Sequence, residues 1–526
     1  MASDLEFTPQ NGAKSVYARR LHGSERMTAA IAEHADGFGH IYVGIHVTFK
    51  EDISQTALVA AVKEAWMQTR FLTPWMATRT SKIENAEANS WSLTYDACLK
   101  PAWAEETVMW RNEVLSLVEW EEKIEDAYWK PSAGRFGVEV TLARAPSTGY
   151  HFLLSIAHWL ADGRGILPII DLLFVNLKAV LCGRAQPSNS LPWGKEIERL
   201  SPAVISAIET SPNVANPPPP PAAPEGTSAP TQFLRPLIES TQWEGLPSKQ
   251  AEIMLSQAET SAFHAVCKKH GTHVTAVLNS IHIIADVETA LRVAANTSSK
   301  SSEVYEAFHK SDVYPVFTNV ADRRPYLSSR WPSVNAAGGF GSVVNDNFVT
   351  FHSMDLVRRC IRFDKDGSPL PSFSKPDFWE GIASETQALM KQNMKTTSDI
   401  FFLTQNGIDA VVPQFDPSAV AIPGIMCSSV GHLASLKLFN DFLPAVAGPD
   451  PGTPFVLEDM SFAVRATGVT AVVAMMWEYN GRLAIHLQGS PRWHSPEAWK
   501  MFGDSVKRAI KEIISEHEGS RVEARL

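Results

Sequence analysis

A run of prolines just before the middle of the chain is the feature that most limits how this sequence can fold. Residues 217–221 are five consecutive prolines, with more on either side. Proline fixes φ and lacks a backbone N–H, so this segment can form neither a helix nor an inner strand. We therefore predict an extended crossover over 211–230, joining an N-terminal lobe, 1–210, to a C-terminal lobe, 231–526. A long surface loop inside a single domain is the alternative.

Length and composition agree with two large globular units. The chain has 526 residues, of which 44% are hydrophobic and 20% are charged, values typical of soluble globular proteins. The net charge is −10, and the sequence has no cluster of basic residues. Because binding to phosphate backbones needs clustered cations, a nucleic-acid partner is not expected.

Cysteine usage and the apolar runs bear on the compartment. The five cysteines are far apart and form no CxxC pair, which argues against a structural zinc site or a disulfide framework. No stretch approaches about 18 uninterrupted apolar residues, so no membrane span is expected. The N-terminal segment is polar and does not resemble a signal peptide. We expect a cytoplasmic protein with no metal.

Periodicity predicts strands and helices in both halves, and therefore a mixed α/β fold. The predicted strands are 40–49, 137–142, 151–157 and a hairpin of 470–477 with 482–487; the predicted helices are 54–66, 171–181, 256–267, 275–293 and 495–514. Ser256 and Glu259 have the spacing of a capping box. Asn480-Gly481 is typical of a tight hairpin turn.

The strongest chemical signal is a histidine placed directly after a predicted buried strand. His158 is followed by Asp162 and Gly163. Histidine titrates near neutrality, so at the end of a rigid strand it is well placed to act as a general base. A glycine beside it leaves room for a ligand. The alternative is a structural histidine followed by an ordinary Asp-Gly turn.

This His-x-x-x-Asp-Gly motif resembles that of the CoA-dependent acyltransferase superfamily. The superfamily includes plant BAHD acyltransferases, peptide-synthetase condensation domains and fungal alcohol O-acetyltransferases. Further segments that resemble it, in the same order, are 267–280, 315–324, 338–341 and 345–351. The resemblance covers about 25–514, and its style is nearest to the fungal trichothecene 15-O-acetyltransferase group.

The resemblance implies two chloramphenicol-acetyltransferase-like lobes, each a mixed sheet flanked by helices, with a channel between them. His158 would be the general base, and no covalent intermediate would form. Asp162 would orient the turn by pairing with Arg323 or Arg324. Donors to the oxyanion, or contacts to CoA, would come from Ser428, Ser429 or Gly431.

The implied reaction is O-acylation, and specifically O-acetylation, of a hydroxyl on a hydrophobic secondary metabolite. Acyl-CoA would be a co-substrate and no cofactor would be bound; the partners would be acyl-CoA and a small alcohol, and the protein a monomer. Ala157 replaces the first histidine of condensation domains, and the DFGWG motif of plant members is absent. A condensation-like enzyme using a carrier-bound acyl group, a cyclase or pericyclase, and a non-catalytic binding protein are the alternatives.

Overall fold

The computed structural model describes most of the chain. The described residues are 4–10, 13–98, 101–124, 128–211, 229–235, 240–243, 246–296, 301–317, 321–329, 331, 344–345, 349–395, 397–415, 424–448 and 452–523. Nearly all of the predicted crossover, 211–230, and the whole of the glycine-rich segment 338–341 lie outside these ranges. The lobe boundaries therefore stay a prediction.

Two larger sheets and one smaller sheet carry the fold, which confirms the predicted mixed α/β class. The first lobe is built on a five-stranded sheet in the order β17-β3-β8-β7-β6. Its strands are β3 (Ile41–Phe49), β6 (Val108–Trp110), β7 (Val138–Arg144), β8 (Tyr150–Ile156) and β17 (Phe455–Val464). The predicted strands 40–49, 137–142 and 151–157 are confirmed as β3, β7 and β8.

A four-stranded antiparallel sheet in the order β1-β2-β5-β4 extends the first lobe. Its strands are β1 (Thr8–Gln10), β2 (Ala13–Arg20), β4 (Thr78–Lys82) and β5 (Trp91–Asp96). It contacts the motif that follows β8, because the indole Nε1 of Trp159 donates to Thr80 Oγ1 on β4 at 2.8 Å.

One strand of the first sheet comes from the far end of the chain. β17 pairs antiparallel with β3 along its whole length, from Phe455 opposite Phe49 to Val464 opposite Ile41. The hydrophobic core of the first lobe accordingly contains Phe462 and other side chains of β17. The two halves of the sequence are thus joined through a shared sheet.

The second lobe is built on a six-stranded mixed sheet in the order β13-β10-β16-β18-β19-β9. Its strands are β9 (Lys249–Met254), β10 (Val313–Phe317), β13 (Val349–Ser353), β16 (Ile425–His432), β18 (Val472–Tyr479) and β19 (Arg482–Gly489). β16 runs parallel to both β10 and β18. The predicted hairpin is β18-β19, and its turn residues have positive φ, 49° at Asn480 and 71° at Gly481.

Short strand pairs complete the strand list: β11 (Ala321–Asp322) with β12 (Val344–Asn345), and β14 (Ile361–Phe363) with β15 (Pro369–Pro371). The helices are α1 (Ser24–His34), α2 (Gln55–Leu72), α3 (Pro101–Thr107), α4 (Leu117–Ile124), α5 (Ile166–Leu181), α6 (Val204–Ala207), α7 (Gln257–Lys269), α8 (Val274–Asn296), α9 (Ser301–Lys310), α10 (Met354–Cys360), α11 (Ser384–Asn393, preceded by a π-helical turn Asp377–Ala383), α12 (Ser398–Val411), α13 (Pro444–Ala447) and α14 (Pro496–Glu523).

The predicted helices are confirmed, with one earlier start and two later ends, since α2 runs to Leu72 rather than 66 and α14 to Glu523 rather than 514. The helix expected over 171–181 begins at Ile166, because Asp162 satisfies the backbone N–H groups just before the helix. The capping box at Ser256 and Glu259 is present at the start of α7. α2 packs against α5 on the first lobe, and α7 and α8 pack against α14 on the second.

α8 is long and apolar enough to cross a membrane by length and composition alone. However, 89% of its most apolar 18-residue window is buried inside the fold. Its side chains, among them Ile281, Ile284 and Leu291, form the centre of the second hydrophobic core. A core helix accounts for this pattern, so the helix is weak evidence for a span.

Candidate active site

His158 is held at the end of β8 by anchors on both sides. Ala157 donates its backbone N–H to Gly137 O at 3.0 Å and accepts from Leu160 N at 2.9 Å. Ala157 and Trp159 are fully buried, whereas His158 itself is partly exposed. Ring atom Nδ1 is buried, but Nε2 is not. A substrate can therefore reach the imidazole at Nε2.

Space beside the imidazole is left by a glycine on a neighbouring loop. Gly39 has φ 82°, and a Cβ placed on it would lie 3.5 Å from His158 Cδ2. Its backbone N–H donates to Arg465 O at 2.8 Å. The wall beside the candidate base is thus backbone from the turn before β3, tied to the chain directly after β17.

Burial lowers the pKa of His158 below its ordinary value. The contact of the ring with its own backbone and the negative charge of Asp162 act in the opposite direction without cancelling the effect. Because desolvation disfavours the charged form of an imidazole, the ring is neutral near neutral pH. Neutral Nε2 is the form that can accept a proton.

Asp162 is turned into the protein rather than towards solvent. Its Oδ1 accepts from the backbone N–H groups of Arg164 at 2.8 Å and Gly165 at 2.6 Å. Its Oδ2 pairs with Arg324 Nη2 at 2.9 Å. These contacts fix the turn between β8 and α5 and link it to the second half of the chain.

Of the two arginines predicted to pair with Asp162, the structure gives the ion pair to Arg324. Arg324 also pairs with Asp322 at 3.0 Å. Arg323 is buried, and its guanidinium carbon lies 5.8 Å from the centre of the Tyr326 ring. The sequence could not separate the two, because which one points towards Asp162 depends on the local backbone at the end of β11.

A strand of the second lobe faces the motif. β16 pairs with β18 in register, with Ser428 opposite Met475, Ser429 opposite Met476 and Gly431 opposite Trp477, so that Val430 forms a bulge. A Cβ placed on Gly163 would lie 3.8 Å from Val430 Cγ2. The structure therefore brings the predicted 428–431 segment against the His-x-x-x-Asp-Gly turn.

The register separates the two candidate serines. Met475, opposite Ser428, packs in the core of the first lobe, whereas Met476, opposite Ser429, packs in the core of the second lobe. Ser429 accordingly accepts a hydrogen bond from Thr275 Oγ1 on α8 at 3.4 Å. Because side chains alternate along a strand, Ser428 lies on the face of β16 that is turned to the motif.

Cys427 precedes these serines and lies near a histidine, but the pair does not form a nucleophile. Its Sγ is 4.0 Å from His282 Nδ1. Burial raises the pKa of the Cys427 thiol to about 12 and lowers the pKa of His282 to about 3. The sulfur thus stays protonated and inert near neutral pH.

Sequence reasoning missed two further residues at this site. Arg164 follows the motif directly, so its position alone could have indicated it. His40 is buried, with its ring centre 4.2 Å from that of Trp129, and its pKa is lowered well below the ordinary value, first by burial and then by neighbouring positive charge. Nothing in the local sequence places His40 near His158, since the contact depends on the pairing of β3 with β8.

Within the described residues, no group of three His, Cys, Asp or Glu side chains is arranged to hold a metal ion.

Known proteins resemble this chain in structure more clearly than in sequence. No family model matches the sequence. A solved structure of trichothecene 15-O-acetyltransferase TRI3 from Fusarium sporotrichioides aligns over 98% of this chain and 99% of its own, with a TM-score of 0.72 and 13% identity. The chain therefore has the same fold as this acetyltransferase. The predicted resemblance is thereby confirmed at the level of the fold.

Two more comparisons add chemistry, stated here of those proteins. F. sporotrichioides TRI101, solved with coenzyme A and T-2, aligns over 90% of this chain and 95% of its own, with a TM-score of 0.50 and 12% identity. In sequence, this chain is 24% identical over 347 residues to the acetyltransferase pigO of Monascus ruber. That match covers 62% of this chain and 66% of the relative, just under two thirds of the relative's length.

Proposed function

We propose that the protein is an acyltransferase that moves an acetyl group from acetyl-CoA to a hydroxyl of a hydrophobic small molecule. The observation that carries the proposal is His158, a neutral imidazole with Nε2 accessible, at the meeting of the motif turn and β16. The similarity to pigO supports acetyl transfer, and the CoA-bound TRI101 structure supports CoA as the donor.

The residues present can perform this transfer without a covalent intermediate on the protein. His158 Nε2 takes the proton of the acceptor hydroxyl while the oxygen attacks the thioester carbonyl carbon. The tetrahedral intermediate then collapses, the carbon–sulfur bond breaks, and the leaving thiolate accepts the proton from the imidazolium. The products are the acetyl ester and free CoA. Cys427 has no part in this sequence, because its thiol stays protonated.

The negative charge on the intermediate needs a hydrogen-bond donor aimed at it. Ser428 is our candidate, since β16 turns this residue towards the motif and turns Ser429 towards Thr275. Gly431 has φ 92°, and together with the bulge at Val430 it shapes the backbone there. The roles of Ser428, Ser429 and Gly431, the monomeric state and the cytoplasmic location stay predictions.

The test is thiol release from acetyl-CoA across a panel of hydroxylated terpenoids and polyketides. We expect release that depends on an acceptor and falls by about 10²–10⁴-fold in His158→Ala. His309→Ala is the matched control, because His309 is an exposed histidine on α9 remote from the motif in sequence. That control should keep full activity, and His158→Ala should keep its melting temperature.

The opposite outcome is equally clear. If no acceptor gives thiol release and no acyl-CoA raises the melting temperature, the CoA-dependent reaction is wrong. Turnover of an acetylated carrier protein in place of acetyl-CoA would then favour the condensation-like alternative.

A further inference from the structure

Arg164 is fixed at its backbone and extends from the first lobe to the second. Its N–H donates to Asp162 Oδ1 at 2.8 Å, which locks the residue directly after the motif. Its guanidinium lies against β16, where a Cβ placed on Gly431 would be 3.1 Å from Arg164 Nη2. The absence of a side chain at Gly431 thus gives the guanidinium its place.

Among the described residues, no acidic side chain pairs with Arg164. In the described part of the chain, its guanidinium takes part in no ion pair or hydrogen bond, although the side chain is only partly exposed. Two other arginines named above differ: Arg324 pairs with Asp162 and Asp322, and Arg465 pairs with Asp36. A guanidinium carries five N–H donors in a fork that fits a carboxylate or phosphate.

The guanidinium and the candidate base lie against different backbone segments. His158 lies beside Gly39, whereas the Arg164 guanidinium lies beside Gly431 of β16. An anion held by Arg164 would therefore be a group of the substrate at some distance from the reacting hydroxyl, rather than the oxyanion formed during transfer.

We infer that Arg164 binds an anionic oxygen group of the substrate, in the space between the motif turn and Gly431 of β16. The inference rests on the proposed function and narrows its substrate class to molecules with a carboxylate or phosphate. The acceptor is the favoured source. Arg164 follows His158 by only six positions in the turn between β8 and α5, whereas a pantetheine arm separates the thioester of CoA from its phosphates.

The experiment measures binding in a His158→Ala background, where turnover cannot interfere. The probes are hydroxylated carboxylic acids and their methyl esters, such as lithocholate and methyl lithocholate, together with CoA and pantetheine. Affinities are compared for Arg164, Arg164→Lys and Arg164→Gln. Arg184→Gln is the matched control, because it removes the same charge from an exposed position after α5.

We expect the acids to bind more tightly than their esters, and Arg164→Gln to weaken the acids by about tenfold to hundredfold while changing the esters little. Arg164→Lys should fall between the two, and Arg184→Gln should have no effect. If Arg164→Gln instead weakens CoA but not pantetheine, the bound anion is a phosphate of the donor, and the anion-binding role stands.

The inference is overturned if the protein prefers neither acids over esters nor CoA over pantetheine. It is also overturned if these preferences survive in Arg164→Gln. An equal loss for acid and ester would also overturn it, since that marks a structural role. Because no outcome depends on thiol release, failure here is distinct from failure of the proposed acetyl transfer.

Discussion

Removing the carboxylate of Asp162 should destabilise the protein far more than it slows the chemistry. Asp162 is buried and accepts from two backbone N–H groups and from Arg324. In Asp162→Ala, both N–H groups lose their acceptor, and the mostly buried guanidinium of Arg324 loses this carboxylate and keeps Asp322. Breaking a buried ion pair from one side typically costs about 3–5 kcal/mol.

Asp162→Asn separates the two kinds of contact. The amide oxygen can still accept from the backbone N–H groups, so only the charge opposite Arg324 is lost. A hydrogen bond to a charged group is worth about 1.5–3 kcal/mol. At about 2–4 °C per kcal/mol for a unit of 150–250 residues, the melting temperature should fall by about 3–12 °C. Asp162→Ala should fall further.

The assay measures the melting temperature and the rate of thiol release on the same preparations of wild type and each variant. Asp441→Asn is the control, because Asp441 is 74% exposed and its nearest cation, Lys178, is 4.0 Å away. We expect this control to change stability by less than about 0.5 kcal/mol. A double variant with Arg324→Met should be less destabilised than the sum of the single variants, because the two side chains interact.

One result would refute the structural role of Asp162. If Asp162→Asn melted like the wild type but lost more than about a hundredfold in turnover, the carboxylate would be acting in the reaction itself.

Two further predictions concern the chemistry. The rate of acetyl transfer should stay level as the pH falls from 8 to 6.5 and should decline only below pH 6.5. The reason is that burial lowers the pKa of His158 and the neutral ring is the active form. A pH–rate profile with its acid midpoint above 6.5 would contradict this prediction. Ser428→Ala should lower kcat by about 10²–10³-fold if Ser428 donates to the oxyanion, whereas Ser429→Ala should change it only a few fold. Steady-state kinetics on both variants checks the assignment, and the reverse order would show that the face of β16 was read wrongly.

Local signals in the sequence were enough for most elements and for the centre of the site. The apolar run in β8, the capping box of α7 and the Asn480-Gly481 turn are short-range patterns, and each formed where the pattern placed it. His158, Asp162 and Gly163 lie within six residues of one another, so one turn was sufficient to predict their grouping.

The rest depended on contacts between distant parts of the chain. Gly39 lies against His158 only because β3 pairs with β8, and Arg164 meets Gly431 only because β16 lies against the turn after β8. Hydrophobic periodicity does not indicate which strands pair or which strand lies against a given turn, so the sequence could not predict these contacts.

The pairing of β17 with β3, which lies about 400 residues earlier in the chain, affects how the protein reaches its native state. β3 pairs with β8 on one edge, but its other edge has no partner until residues 455–464 have been synthesised. Until then, the growing chain presents the backbone donors and acceptors of β3 as an open edge, which is a template for pairing with other chains. Ordering of the wall beside His158 also waits for Arg465, whose carbonyl holds Gly39. Synthesis of the first half alone should therefore give an incompletely folded, aggregation-prone species, and the candidate base His158 should become organised only after Arg465 has been synthesised.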